Sequence, residues 1–108
     1  MPPIDLPEPV AAALDAANAA DTDRFLAAFT PAGVVNDWGR VFTGPAEIRR
    51  WSDREFIGVS VHLDVTASIT TGPTTAVQAQ VGGFGFTGPS QFTFTVDGDR
   101  ISLMRITA

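Results

Sequence analysis

The chain has 108 residues, enough for one domain with a sizeable core, and the whole span 1–108 reads as one unit. Hydrophobic residues are 44% of it and charged residues 18%, so some apolar surface is expected to line a cavity or meet a partner subunit. A net charge of −5 and a single histidine, His62, speak against nucleic acid and against a histidine-built metal centre respectively; the absence of cysteine excludes disulfides and thiolate sites.

Residues 1–7, with Pro2, Pro3 and Pro7, read as an extended lead and not as a secretory signal. No stretch approaches the length of a membrane span, which leads us to expect a cytoplasmic domain with no membrane partner. From Glu8 the run EPVAAALDAANAA places Val10, Leu14 and Ala17 at helical spacing. Asp21 or Thr22 caps a second helix that carries Phe25, Leu26 and Phe29, and Thr30-Pro31-Ala32-Gly33 is expected to end it. Val34–Asp37 then forms a short strand and Val41-Phe42 a second one. Thr43 and Pro45 mark the start of a third helix, about 45–53, with Ile48 and Trp51 on one side and Arg49-Arg50 in solvent.

Beyond Val59 the period changes to two. Val59, Val61, Leu63, Val65, Ala67 and Ile69 alternate with polar residues along one long strand. Gly72-Pro73 turns the chain into a strand over 74–86, where Gly82, Gly83 and Gly85 suggest a bulge or bend. Thr87–Ser90 is read as a loop. Gln91–Val96 alternates again, Asp97-Gly98 makes a hairpin, and Arg100–Thr107 closes the sheet. Three helices ahead of a strand meander imply an α+β fold, with a curved antiparallel sheet leaving a cone-shaped cavity under the helices.

Chemistry is concentrated in VVNDWGRVFTGPAEIRRW, residues 34–51. Asp37 ends an apolar strand beside Trp38. It is read either as a general base raised in pKa by desolvation or as a carboxylate that caps the turn or pairs with Arg40. His62 is the other natural acid–base group, either a proton donor to a ligand carbonyl or a surface residue. Trp38, Trp51, Phe42, Phe56, Phe84 and Phe94 are candidates to wall a pocket for a small hydrophobic molecule, although most aromatics in a small domain are core. Gly82-Gly83-Phe84-Gly85 lacks the lysine and helix of a phosphate loop.

In order and spacing, the chain resembles the nuclear transport factor 2-like superfamily and, within it, the SnoaL-like domains. The resemblance rests on Asp21 with Phe25–Phe29, the strand ending at Asp37, Phe42-Thr43-Gly44-Pro45-Ala46-Glu47-Ile48 with Trp51, and the hairpin Phe94 to Ile101 around Asp97-Gly98-Asp99. It implies an α+β cone with an apolar pocket, assembled as a homodimer through the sheet, among relatives that include ketosteroid isomerases and polyketide cyclases. In the isomerases the proton-shuttling carboxylate occupies the position that Asp37 matches. Their tyrosine donor has no counterpart, because the chain has no tyrosine, and no acid stands near Ser90–Gln91 where their second acid would fall. Gln78 and Gln80 are read either as neutral groups that replace that acid in orienting a ligand or as subunit-contact residues. The resulting expectation is a cofactor-free isomerase, cyclase or dehydratase with Asp37 and His62 as catalytic residues, Gln80 among the ligand contacts, and no metal. The alternative is a binding or dimerisation module that does not turn its ligand over.

Overall fold

The computed structural model describes residues 5–108; the start of the proline-rich lead, residues 1–4, lies outside the described residues. In chain order the elements are α1 (Glu8–Asn18), α2 (Thr22–Ala27), β1 (Phe29–Asp37), β2 (Arg40–Thr43), α3 (Gly44–Glu55), a 3-10 turn (Ile57–Val59), β3 (His62–Thr71), β4 (Thr74–Gly82), β5 (Gly88–Asp97) and β6 (Arg100–Thr107). Val10, Ala13, Leu14 and Ala17 recur along α1 at core-facing spacing, and all four are buried. Asn18 at its end fastens it to the sheet: Asn18 Nδ2 donates to the Leu63 carbonyl at 2.9 Å, and Leu63 N–H donates to Asn18 Oδ1 at 2.7 Å. Asp21 caps α2 by accepting from Arg24 N–H at 3.1 Å. At the start of α3, Glu47 Oε1 reaches back and accepts from Thr43 N–H at 3.0 Å, satisfying the backbone donor of the residue before the helix.

The six strands form one sheet in the order β2-β1-β6-β5-β4-β3. Four of the five pairings are antiparallel, but β1 and β6 run parallel, so the sheet is mixed and not wholly antiparallel. The cause is topological. β1 turns back through a hairpin into β2, and the meander from β3 to β6 then returns to the free edge of β1.

Local readings change where tertiary contacts win. Phe29 does not sit on the second helix: it opens β1, opposite Ile101. Thr30-Pro31-Ala32-Gly33 is an irregular stretch inside that strand, where the register to β6 shifts between Phe29 and Val34. A Cβ on Gly33 would lie 3.0 Å from the Thr30 carbonyl oxygen, which is why the close approach there takes glycine. In β3 a bulge between Val65 and Ala67 shifts the alternation, so Ala67 and Ile69 are exposed and not core-facing. β5 starts at Gly88, within the stretch read as a loop.

Helices and sheet meet over one aromatic chain. Phe25 contacts Phe29 edge-on at 5.2 Å and Phe56 at 5.4 Å, and Phe56 stacks on Trp51 at 4.9 Å. Trp51 itself is fully buried, as are Phe92, Phe94, Ile101 and Met104. Such a core leaves its space at one end of the sheet, where β1 finishes.

Candidate functional site

A cavity of about 330 Å³ opens between the helix-bearing face of the sheet and the C-terminal end of α3. Its floor runs diagonally across the strands. Asp37 on β1 is in register with Ile106 on β6, which is in register with Phe92 on β5. Ser90 and Val81 continue the floor on β5 and β4. The opposite wall is Trp51 and Phe56 of α3 and its cap, with Val59 and Val61 from the 3-10 turn and the residue pair after it. Trp38 and Phe86, 61% and 60% exposed, stand at the open side with Arg40, Arg54 and Glu55. The cavity is therefore apolar at its walls and charged at its rim.

The rim is built by the β1–β2 hairpin. Asp37 and Arg40 face each other in register, and the two residues between them, Trp38 and Gly39, have φ of 54° and 89°. That is a two-residue turn of the primed type, matched to strand twist and normally given to Asn-Gly. A tryptophan in the left-handed region costs about 1 kcal/mol. Asn36 Oδ1 supports the turn by accepting from Gly39 N–H at 2.8 Å, and Trp38 N–H donates to the Ile106 carbonyl at 3.2 Å.

The turn brings Asp37 under Arg40. Arg40 Nη2 donates to Asp37 Oδ2 at 2.6 Å, and Trp51 Nε1–H donates to the same oxygen at 3.1 Å. The Asp37 side chain is 15% exposed, against 53% for Arg40. Asp37 Oδ1 accepts no hydrogen bond from the described residues. Arg40 also grips Glu55 with a two-pronged bond, Nη1 to Oε2 at 2.9 Å and Nη2 to Oε1 at 2.7 Å. Those bonds hold the Glu55 carboxyl below its usual value against the opposing effect of burial, and Glu55 in turn raises Arg40 further. Across the floor, Ser90 is buried, yet its hydroxyl has no protein partner and is not sealed off unpaired. It is therefore free to bond whatever fills the cavity. Among the described residues, no group of three or more His, Cys, Asp or Glu could hold a metal ion.

The model of the SnoaL-like domain family matches residues 10–104, which takes in every element from α1 to most of β6. The chain belongs to the SnoaL-like domain family. A Sinorhizobium meliloti protein provisionally named a polyketide cyclase is similar at 30% identity and a TM-score of 0.85, over 95% of this chain and 96% of that one. A Catenulispora acidiphila protein with a ketosteroid isomerase-like fold, solved with trimethylamine, is similar at 22% identity and a TM-score of 0.82, covering 96% and 87%. A nuclear transport factor 2-like protein of unknown function from Cytophaga hutchinsonii shares the fold at 10% identity, with a TM-score of 0.82 and coverage of 98% and 91%. No curated protein sequence matches the chain at a significant level.

This SnoaL-like domain brings Asp37, Trp38, Trp51 and Phe56 together around the cavity. Phe42 stands behind Trp51, ring centroids 6.0 Å apart, with the Arg40 guanidinium 5.8 Å from its ring. The remaining candidates lie elsewhere. His62 is exposed on β3 and points to the opposite face from its buried neighbour Leu63, so it does not share a cavity with Asp37. Gln80 is on that same outer face, because Ala79 and Val81 are the buried residues of β4. Phe94 is completely buried in the core, and Phe84 is 89% exposed on the loop after β4 without lining the cavity. The Arg49-Arg50 pair is not wholly free in solvent either, since Arg49 bonds Asp23. Sequence reasoning missed Phe86, Phe92, Ser90 and Glu55. Ser90 and Phe92 had a readable signal, being alternate residues of one strand; Glu55 had none, as its partner is 15 residues away.

No helix of the described residues is long and apolar enough to cross a membrane.

Proposed function

We propose that the cavity binds a small hydrophobic molecule and that Asp37 is the group that acts on it as a general base. The observation that carries this reading is the half-engaged Asp37 carboxylate on the lining of an apolar-walled cavity: Oδ2 is held by Arg40 and Trp51, while Oδ1 has no protein donor among the described residues. A carboxylate fixed in this way is oriented and available to accept a proton from a carbon beside a carbonyl. Ser90 on β5 is the hydroxyl that would donate to the carbonyl oxygen as charge develops there. Such a step needs no group beyond these side chains, and its reaction class is isomerisation, ring closure or dehydration. The similarity to the protein provisionally named a polyketide cyclase agrees with that class.

A second reading has its own support. The cavity lining contains no histidine and no tyrosine, and Ser90 is its one hydroxyl side chain. That poverty of proton donors favours a domain that binds its ligand without turning it over. The two readings separate in one experiment, a thermal-shift screen of hydrophobic carbonyl compounds on the wild type and Asp37→Asn, followed by product analysis. Turnover by the wild type with loss in Asp37→Asn establishes the base. Binding by both proteins with turnover by neither establishes the binding module.

We further propose that two copies pair through the outer face of the sheet. That face carries Gln78, Gln80, Gln91, Thr93 and Thr95, with Asp64 and Arg105 as its charges, a surface poor in charge and suited to burial against another chain.

A further inference from the structure

Among the described residues, those with positive φ that are not glycine are Ala20, Trp38 and Ser60, at 55°, 54° and 55°. Ala20 and Ser60 are small and stand at the ends of α1 and the 3-10 turn, where a left-handed residue is an ordinary terminator. Trp38 is the exception. It is the first residue of the two-residue turn between Asp37 and Arg40, a place that normally takes Asn, Asp or Gly.

The fold does not use the indole to offset that strain. The residue is 61% exposed, so burial contributes little. Among the described residues its ring pairs with no other aromatic, and its Nε1–H has no acceptor. The bonds that hold the turn, Gly39 N–H to Asn36 Oδ1 and Trp38 N–H to the Ile106 carbonyl, involve no atom of the Trp38 side chain. What the residue does border is the cavity. Of the five exposed large hydrophobic residues, Trp38, Val41, Ile69, Phe84 and Phe86, those that line it are Trp38 and Phe86.

We propose that Trp38 is a ligand-binding residue whose indole face is the stacking platform for a planar aromatic ring at the mouth of the cavity. The proposal rests on the binding site described above and adds the class of its ligand: a molecule that keeps a flat ring where it leaves the cavity. Strain and exposure at one residue are then a single compromise, stability given up at a functional position. A flat ring lies offset over an indole at close contact, whereas a saturated ring of the same skeleton is puckered and lacks the π face. A small molecule suits this place better than a second copy of the chain. The apolar walls continue inward through Trp51, Phe56 and Phe92, while Arg40, Arg54 and Glu55 stand at the rim, and the core of a protein interface is poor in charge.

The test uses 2-naphthol and decahydro-2-naphthol, which share a carbon skeleton and a hydroxyl and differ in planarity. Binding is read from the indole N–H resonance of Trp51, which lines the cavity and is kept in every variant. Trp38→Asn and Trp38→Leu both remove the platform. Each should lower the preference for 2-naphthol over its saturated counterpart about fivefold relative to the wild type, the worth of one aromatic pair. Affinity for the saturated probe should stay within about twofold. Only Trp38→Asn also relaxes the turn, so without ligand its Tm should rise by about 4 °C, while that of Trp38→Leu stays at the wild-type value. A preference retained in both variants overturns the proposal while leaving the binding site standing. So does a lower Tm in Trp38→Asn, because the indole would then be part of what holds the fold. A change in mass by light scattering in Trp38→Asn, with the preference intact, would give the indole to a second copy and also overturn it. If neither probe moves the Trp51 resonance of the wild type, the binding site itself fails and the proposal falls with it.

Discussion

Trp51 and Asp37 are joined by a 3.1 Å hydrogen bond from the indole N–H to Oδ2, which ties the middle of α3 to the last residue of β1. The same indole ring stacks on Phe56 at 4.9 Å, so one side chain is both core and site. Trp51→Phe separates the two roles, because it keeps most of the stack and deletes the donor. The variant is expected to lose about 1–2 kcal/mol, the worth of a partly buried hydrogen bond to a charged acceptor. Urea unfolding measures this, and an unchanged midpoint would show that the bond adds nothing to the stack.

Phe94 and Phe86 should behave as opposites. Phe94 is 0% exposed in the core, whereas Phe86 is 60% exposed beside the cavity. Phe94→Ala is expected to cost about 3–5 kcal/mol, through lost burial and the void left behind. Phe86→Ala should leave stability within about 0.5 kcal/mol and weaken ligand binding several-fold. Thermal unfolding and ligand titration on both variants check the pair. If the effects come out exchanged, the cavity has been placed at the wrong end of the sheet.

His62→Ala is expected to be silent. The side chain is exposed on the outer face, with no hydrogen bond and no ion pair among the described residues. Stability should change by less than about 0.5 kcal/mol, and any turnover found in the screen should persist. A fall in turnover with intact binding would restore histidine to the mechanism and remove Asp37 as its sole acid–base group.

The ion pair of Glu55 with Arg40 makes stability depend on pH in a fixed direction. Its hydrogen bonds to Arg40 hold the Glu55 carboxyl below the unfolded value near 4.5. A depressed carboxyl stabilises the fold above its unfolded pKa, and that contribution is lost as pH falls through the folded value. Glu55→Gln should therefore be less stable than the wild type at pH 7, with the difference vanishing at acid pH once Glu55 is protonated. Both side chains are substantially exposed, 38% for Glu55, so the gap at neutral pH should be at most about 1 kcal/mol and should shrink with salt. Melting curves from pH 7 downward would contradict this if the gap stayed constant.

The proposed pairing through the sheet has a direct test. Gln78 and Gln91 face each other in register on the outer face of β4 and β5. Gln78→Arg with Gln91→Arg would bring like charges into any symmetric contact there. Light scattering after size exclusion should give twice the chain mass for the wild type and a single chain mass for the double variant. A wild type that runs as one chain ends the proposal.

What the sequence determined by itself is the local and periodic part of this protein. Val10, Leu14 and Ala17 specify the buried side of α1, Thr43 and Pro45 mark the start of α3, and Phe92 with Phe94 set the inward face of β5. Each of these rests on residues within a turn or two of one another, where backbone geometry alone dictates which side chains share a side. Even Asp37 at its strand end, next to a tryptophan in the turn, was legible in this way. Tertiary structure alone decided the rest. The bulge after Val65 turned Ala67 and Ile69 outward, and the inward or outward sense of each strand put His62 and Gln80 on the face away from the cavity, as one phase choice moves a whole strand's side chains together. The parallel union of β1 with β6, which lays Asp37 beside Ile106 and Phe92, joins residues far apart in the chain. So does the bond from Arg40 to Glu55. These contacts depend on how packed layers meet, and no local pattern of residue types encodes a meeting between distant segments.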